Sequence, residues 1–278
     1  MTLRTHGKIL LASVAVAALV AACGSGGTDT GSGQIQTMTP GKFTCAMSGE
    51  YRPFNFYGSD TKLQGFDVDM CTEIAKHLKL DANPLTGQFD SLIAGLQAGR
   101  YDAIIGSMAN TPKRAKQVDF SKPYYTSGTQ LFVAPASSVQ DIRGLKDATI
   151  GVALGTTFEE FARKQANVKN VKTYKSDVEA LKDLETGRLD GVITQGLMGR
   201  FLIKNAGLKV KPAGGVLEPD VASIPVKKGN TALLGAIDKA LVDIKKDGTY
   251  AKLSNKWFGA DISGAPVESS TAGTAPSS

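Results

Sequence analysis

An internal repeat constrains the fold of this 278-residue chain more than any other feature. Residues 91–107 read S-L-I-A-G-L-Q-A-G-R-Y-D-A-I-I-G-S, and residues 179–195 read E-A-L-K-D-L-E-T-G-R-L-D-G-V-I-T-Q. Leu96, Gly99, Arg100, Asp102 and Ile105 match Leu184, Gly187, Arg188, Asp190 and Ile193, all at an offset of 88. Each copy carries apolar residues at helical spacing (Leu92, Ile93, Leu96; Val178, Leu181, Leu184), a glycine stop and a short buried strand. A second correspondence precedes it. The strand-like run 43–47 leads into Ser48-Gly49-Glu50-Tyr51, and the run 149–154 leads into Gly155-Thr156-Thr157. Each half reads strand, glycine turn, helix, strand, which indicates an α/β architecture of two similar lobes.

In such sheets ligands bind beyond the carboxyl ends of the strands. Those ends deliver Ser48, Glu50 and Tyr51, then Gly106, Ser107 and Ala109, then Thr156 and Thr157, and finally Thr194 and Gln195. They are expected to face one another across a cleft. The other reading of a repeat, that it serves folding alone, is disfavoured by how polar and glycine-rich these strand ends are.

Residues 102–125 sharpen the expectation. Ala103, Ile104 and Ile105 read as a buried strand, and residues 106–110 as a turn. Asn110 or Thr111 can then cap a helix whose first turn accepts Pro112. Unpaired N–H groups at such a start suit an anion. Arg114 opposes the positive end of the helix dipole there, a conflict that an anion from elsewhere would remove. The plainer reading has Arg114 facing solvent or pairing with a structural acid.

The ends of the chain read as targeting and tether. Arg4 and Lys8 precede an apolar run over 9–22, too short for a bilayer span of roughly 20 residues and suited to a secretory signal. The run ends Val20-Ala21-Ala22-Cys23, which resembles a bacterial lipobox with Cys23 as the lipidated residue. Residues 1–22 are thus expected to be a lipoprotein signal peptide, 23–40 a flexible tether and 261–278 a disordered tail. Removing the leader leaves 30 basic against 26 acidic residues, scattered along the chain, which argues against a nucleic-acid partner. His77 is then the last histidine, on an amphipathic helix, so histidine-rich metal sites are excluded and a Ser-His-Asp triad would need it. Cys45 and Cys71 could form one disulfide in an oxidising compartment, and bridge and free thiols stand equally open.

In order and spacing, the segments Glu50-Tyr-Arg-Pro-Phe-Asn-Phe56, Gly65-Phe-Asp-Val-Asp-Met70, Phe89-Asp-Ser-Leu-Ile93, Thr111-Pro-Lys-Arg114, Val118-Asp-Phe-Ser121, Pro123-Tyr-Tyr125, Gly155-Thr-Thr157, Gly187-Arg-Leu-Asp190, Asp247-Gly-Thr-Tyr250 and Trp257-Phe-Gly259 resemble one family. It is the extracytoplasmic solute-binding proteins of ABC importers for polar amino acids (bacterial family 3), in lipoprotein form. The resemblance implies a two-lobed, type II periplasmic-binding-protein-like fold with a ligand cleft between lobes joined by a two-strand hinge near residues 125 and 222. Lobe one would hold 41–125 plus 222–260, and lobe two 126–221. It implies a small-molecule ligand, an ABC permease and ATPase as partners, a lipid anchor in the bacterial cell membrane, a monomer, and no cofactor, metal or catalysis.

Position by position, the resemblance implies that Arg114 pairs with the ligand's α-carboxylate, aided by backbone N–H groups near Ser107 and Ala109 and by Thr157. A guanidinium fork matches a planar carboxylate. Tyr51 and Phe89 would sandwich the ligand's side chain, although aromatics there could equally be core. Three departures bear on substrate. Relatives that bind ordinary α-amino acids place a Ser or Thr at Ala109, Asp at Gln195 and often Asp at Ser48, and those acids receive the ammonium. Two readings follow: Glu50 turns inward to replace the missing charge, or the ligand lacks a free ammonium.

Two rivals share the fold. Cyclohexadienyl dehydratases resemble these proteins and contain a segment similar to Gly49-Glu-Tyr-Arg-Pro-Phe54, but need a carboxylic acid where this chain has Met198. A ligand-sensing receptor component would use the same lobes without delivering cargo.

Overall fold

A computed structural model describes residues 35–264. The signal peptide, Cys23, most of the tether and residues 265–278 lie outside the described residues. In chain order the strands of the first part are β1 (Lys42–Met47), β2 (Glu50–Tyr51), β3 (Asn55–Tyr57), β4 (Leu63–Gln64), β5 (Asp81–Thr86), β6 (Ala103–Ile104), β7 (Met108–Ala109) and β8 (Val118–Phe120). They are interspersed with helices α1 (Phe66–Leu78), α2 (Leu92–Gln97) and α3 (Pro112–Ala115). Next come β9 (Tyr125–Val133), β10 (Ala148–Ala153), α4 (Thr157–Ala162), β11 (Val168–Tyr174), α5 (Asp177–Glu185), β12 (Gly191–Gln195) and α6 (Gly196–Ala206). The chain closes with β13 (Lys211–Ala213), β14 (Pro219–Ser223), β15 (Pro225–Lys227), α7 (Thr231–Lys246) and α8 (Thr249–Phe258).

The repeat is a folding unit. One sheet has the order β5-β1-β6-β15-β8, and the larger one β11-β10-β12-β9-β14-β7 with β13 on β9. In each, the first strand of a βαβαβ run lies between two parallel neighbours, β1 between β5 and β6 and β10 between β11 and β12. An antiparallel strand then joins the third, β15 beside β6 and β9 beside β12. This is an α/β fold of two lobes. The repeated glycines Gly99 and Gly187 stop α2 and α5 at φ 72° and 76°, a left-handed region glycine enters freely.

The repeated aspartates do matching work. The Asp102 N–H donates to the Thr44 carbonyl at 2.9 Å while its Oδ2 accepts the Thr44 N–H at 2.6 Å. Asp190 repeats the pair on Thr149, at 3.0 and 2.8 Å. Each carboxylate thereby anchors the strand that follows its helix to the first strand of its lobe.

α1 buries Phe66, Met70, Cys71, Ile74 and Ala75 along one face, and α7 and α8 pack against it. Phe66 meets Tyr124, Tyr125, Tyr250 and Phe258 in an aromatic cluster at centroid distances of 5.5–6.4 Å. Cys45 of β1 and Cys71 of α1 are disulfide-bonded, with Cα atoms 6.2 Å apart, which resolves the open thiol question. His77 is exposed on α1, its Nδ1 4.0 Å from Asp243 Oδ2.

Local expectations around residue 106 need correcting. The strand stops at Ile104, and the supposed turn over 106–110 contains β7, which pairs with β14. The helix that starts at Pro112 is one turn long, so its dipole is too small to decide where Arg114 goes.

Candidate functional site

A cleft of about 520 Å³, open solvent at its mouth included, lies at the carboxyl ends of β1, β6 and β10. Ser48, Glu50, Tyr51, Gly106, Ser107, Ala109, Thr156 and Thr157 line it from their strand ends, and Phe89 and Arg114 line it too. Thr194 and Gln195 do not. Both are fully buried behind the wall, and Gln195 Nε2 donates to the Tyr125 hydroxyl at 2.9 Å. They lie behind lining residues that the sequence reading missed: Ala153, Phe158, Lys175, Ser176, Asp177 and Asp220.

Thr111 caps α3, its hydroxyl accepting the Arg114 N–H at 3.2 Å. That start turns the Arg114 side chain into the cleft, where Nη1 donates to the Ala109 carbonyl and Nη2 to the Gly155 carbonyl, each at 2.9 Å. Both partners are neutral acceptors, and a guanidinium has five N–H donors, so donors remain for an anion. The Phe89 ring lies 5.6 Å from the guanidinium carbon, and Tyr51 stacks on Phe54 at 5.2 Å.

Ser107 sits at φ 58°, a conformation an L-residue adopts only when its surroundings impose it. Its N–H, expected to face a carboxylate, donates instead to the Tyr124 hydroxyl at 2.9 Å. Behind it lies Asp67, whose carboxylate accepts from Tyr124 Oη at 2.8 Å, Asn55 Nδ2 at 2.7 Å and Ser107 Oγ at 3.1 Å. Asn55 in turn accepts from Ser48 Oγ at 2.9 Å and the Gly49 N–H at 2.7 Å. One buried network therefore holds both the 48–49 and the 107 rims of the cleft. Burial raises the Asp67 carboxyl to about 7, against the lowering effect of Tyr124, Asn55 and Ser107.

The sequence reading weighed Glu50 as the one acid of the cleft, and the structure adds two more. Glu50 is exposed at the rim, whereas Asp177 and Asp220 are each 5% exposed and line the cleft. Asp220 lies on β14, two residues before Ala222, which pairs with Tyr125. Burial raises its carboxyl to about 6, Gln195 and Arg114 lower it, and Asp177 adds to the rise. Asp177 opens α5. Burial raises it to about 6, with Thr194 lowering it. Burial also depresses Arg114, which Asp220 and Glu160 oppose. Asp220 and Arg114 thus feel one another's charge across the cleft.

The sequence carried no signal for Asp220, which follows Glu218 and Pro219 in a polar approach to β14. Asp177 gave none either, because an aspartate at a helix start is ordinary.

Comparison with known proteins fits this geometry. The family model of bacterial extracellular solute-binding proteins, family 3, matches residues 43–260. The chain belongs to that family. Family 3 relatives include the L-cystine-binding protein TcyJ of Escherichia coli, 34% identical over 224 residues, which cover 80% of this chain and 84% of that protein. ABC transporter arginine-binding protein 1 of Escherichia coli is 34% identical over 226 residues, 78% of this chain and 90% of the relative. Among solved structures, an ancestral arginine-binding protein bound to arginine superposes with a TM-score of 0.74 at 37% identity, covering 79% of this chain and 99% of that one. The fold is therefore the two-lobed, type II architecture of this extracytoplasmic family. Where the resemblance places an acid this chain has Gln195 on β12, and Asp220 brings a carboxylate to the cleft from β14, which β9 separates from β12.

Proposed function

We propose that this chain captures an α-amino acid between its lobes and presents it to an ABC permease and its ATPase. The observation that carries this reading is the pairing of a buried carboxylate with a donor-rich guanidinium across one cleft, Asp220 opposite Arg114. Arg114 takes the α-carboxylate and Asp220 the α-ammonium, while Tyr51 and Phe89 flank the side chain. Charge-assisted hydrogen bonds of this kind are among the strong ones. A ligand without a free ammonium, the other reading open from sequence, leaves the Asp220 carboxylate with no cation from the ligand to offset its burial.

The lobes, 41–125 plus 222–260 and 126–221, close about the hinge where Tyr125 and Ala222 pair. Arg114 to Gly155 on one side and the packing of α5 against β2 on the other are the contacts of the closed form. Lipidation at Cys23 tethers the protein, as a monomer, to the outer face of the cell membrane through residues 23–40.

The test is a thermal-shift panel on protein freed of bound ligand by unfolding and refolding. A ligand at 100 times its Kd adds about 2.7 kcal/mol of stability, several degrees in a body this size. Free α-amino acids should produce the shift and their N-acetyl derivatives should not. A shift from plain or N-substituted carboxylates alone would refute the assignment of Asp220.

Two buried carboxyls near pKa 6 also suit proton donation, which favours a dehydratase as the second reading. Measurable dehydration of prephenate or arogenate would establish it. Binding without turnover is the expected result.

A further inference from the structure

Of the non-glycine residues at positive φ among those described, Thr61, Lys79, Ser107 and Asp147, only Ser107 lines the cleft. A left-handed serine relaxes to the β or right-handed region unless its neighbours hold it. Both of its polar donors lead to one carboxylate. Ser107 Oγ donates to Asp67 Oδ2 at 3.1 Å, and its N–H reaches Oδ1 through the Tyr124 hydroxyl, which accepts at 2.9 Å and donates at 2.8 Å. Asp67 also takes Asn55 Nδ2, and Asn55 Oδ1 takes the Ser48 hydroxyl and the Gly49 N–H on the other rim. Asp67, Asn55 and Tyr124 are fully buried, and none of them lines the cleft. The partners of this carboxylate are all neutral, and a buried carboxylate without a counter-ion is costly to keep for packing alone.

We infer that Asp67 is a positioning residue for ligand capture. Acting through Tyr124 and Asn55, its carboxylate holds Ser107 in the left-handed conformation and fixes the 107 rim against the 48–49 rim, so that the cleft is shaped before the ligand arrives. This rests on the proposed capture of an α-amino acid in that cleft. The ionised carboxylate accepts from Tyr124, Asn55 and Ser107 together. Protonation places a hydrogen among three donors, and one of those bonds must be given up or reversed. Burial brings that step to about 7, so the hold on Ser107 weakens as pH falls below it. The titratable groups around Asp67 are tyrosines: Tyr124 in contact, and Tyr51 of β2, Tyr125 of β9 and Tyr250 of α8, on which its charge acts. Burial raises all four, so they stay neutral near pH 7. Asp69, two residues along α1, is paired with Lys256 and Trp257. Asp177 and Asp220 titrate about one unit lower, which makes the comparison of variant with wild type the informative one.

The experiment is calorimetric titration of refolded, ligand-free protein with each of the common L-α-amino acids and L-cystine, the tightest binder serving as reporter. Asp67→Asn and Tyr124→Phe should each weaken it about 5- to 30-fold, the population lost when a left-handed residue is released, although neither side chain lines the cleft. Glycine enters the left-handed region freely, so in a Ser107→Gly background the same two changes should cost no more than about twofold. The rise in wild-type affinity as pH passes through about 7 should be missing in Asp67→Asn. A carboxylate that only stabilised the fold would leave the Ser107→Gly background as sensitive as the parent. Tyr124→Phe keeps the ring and the carboxylate, so the test stands if Asp67→Asn does not fold. Affinities within twofold of wild type in the variants, an undiminished loss in Ser107→Gly, or a pH profile of Asp67→Asn parallel to wild type would overturn the inference and leave the proposed function standing. If no α-amino acid binds the wild type, both fall together.

Discussion

Arg114 Nη2 donates to the carbonyl of Gly155 at 2.9 Å, and a Cβ at Gly155 would lie 2.8 Å from the Asp90 Cβ. The guanidinium that points into the cleft therefore also ties its two walls together, at a glycine where the walls nearly touch. Gly155→Ala should act twice. Its φ of 75° costs an L-residue about 1–2 kcal/mol of stability. The clash with Asp90 arises in the proposed closed form, so ligand affinity should fall by about tenfold or more as well. Melting of the ligand-free protein and calorimetric titration separate the two effects.

Arg114→Lys keeps the charge and loses the fork. It cannot hold the Ala109 and Gly155 carbonyls and a planar carboxylate together, so affinity for an α-amino acid should drop on the order of 10- to 100-fold. Asp220→Asn should cost a similar factor. An affinity within threefold of wild type in either variant would contradict the assigned roles.

The pH dependence of binding and that of stability should run in opposite directions. Asp177 and Asp220 titrate near 6, and protonation removes the charge an ammonium needs, so affinity should rise as pH increases through about 6. Asp67, Asp177 and Asp220 all have folded-state values raised above the ordinary 3.8, to about 7, 6 and 6. The folded state then holds protons that the unfolded state has released. Their stabilising contribution is full below about pH 4 and is lost as pH rises towards 7. From these groups alone, the ligand-free protein should melt higher at pH 5 than at pH 8. Replacing Asp220 by Asn should flatten part of both slopes.

The ion pair Lys113 Nζ to Glu160 Oε1, at 2.9 Å, also links the two walls, but its side chains are 76% and 48% exposed. Exposed pairs contribute about 0–1 kcal/mol. Lys113→Ala should therefore weaken binding no more than roughly fivefold, and the loss should shrink further in high salt.

Reducing the Cys45–Cys71 bond releases a loop with a sequence separation of 26. The chain-entropy argument gives about 3 kcal/mol for a loop of this size. Tm should fall by about 6–12 °C in reductant, or in the Cys45→Ala/Cys71→Ala double variant, with both lobes still folded.

The amino-acid sequence determined, by itself, the repeat that builds the two sheets, the glycine turns at 49 and 155, and Arg114 and Tyr51 as cleft residues, while Phe89 entered through the resemblance to the family. Each of these rests on local chemistry: helical or strand periodicity, a left-handed turn position, a cap that orients the next residue. Tertiary structure alone decided where the carboxylates are. Asp220 borders a crossover strand and Asp177 starts a helix, and neither neighbourhood in sequence distinguishes a buried acid from a solvated one. Burial of a charge depends on what other segments bring to cover it, here β12 with Thr194 and Gln195 behind the wall and β2 with Tyr51 in front. For the same reason Gln195, a cleft residue by its strand position, became a buried support for Tyr125 of β9, the strand that pairs with β12.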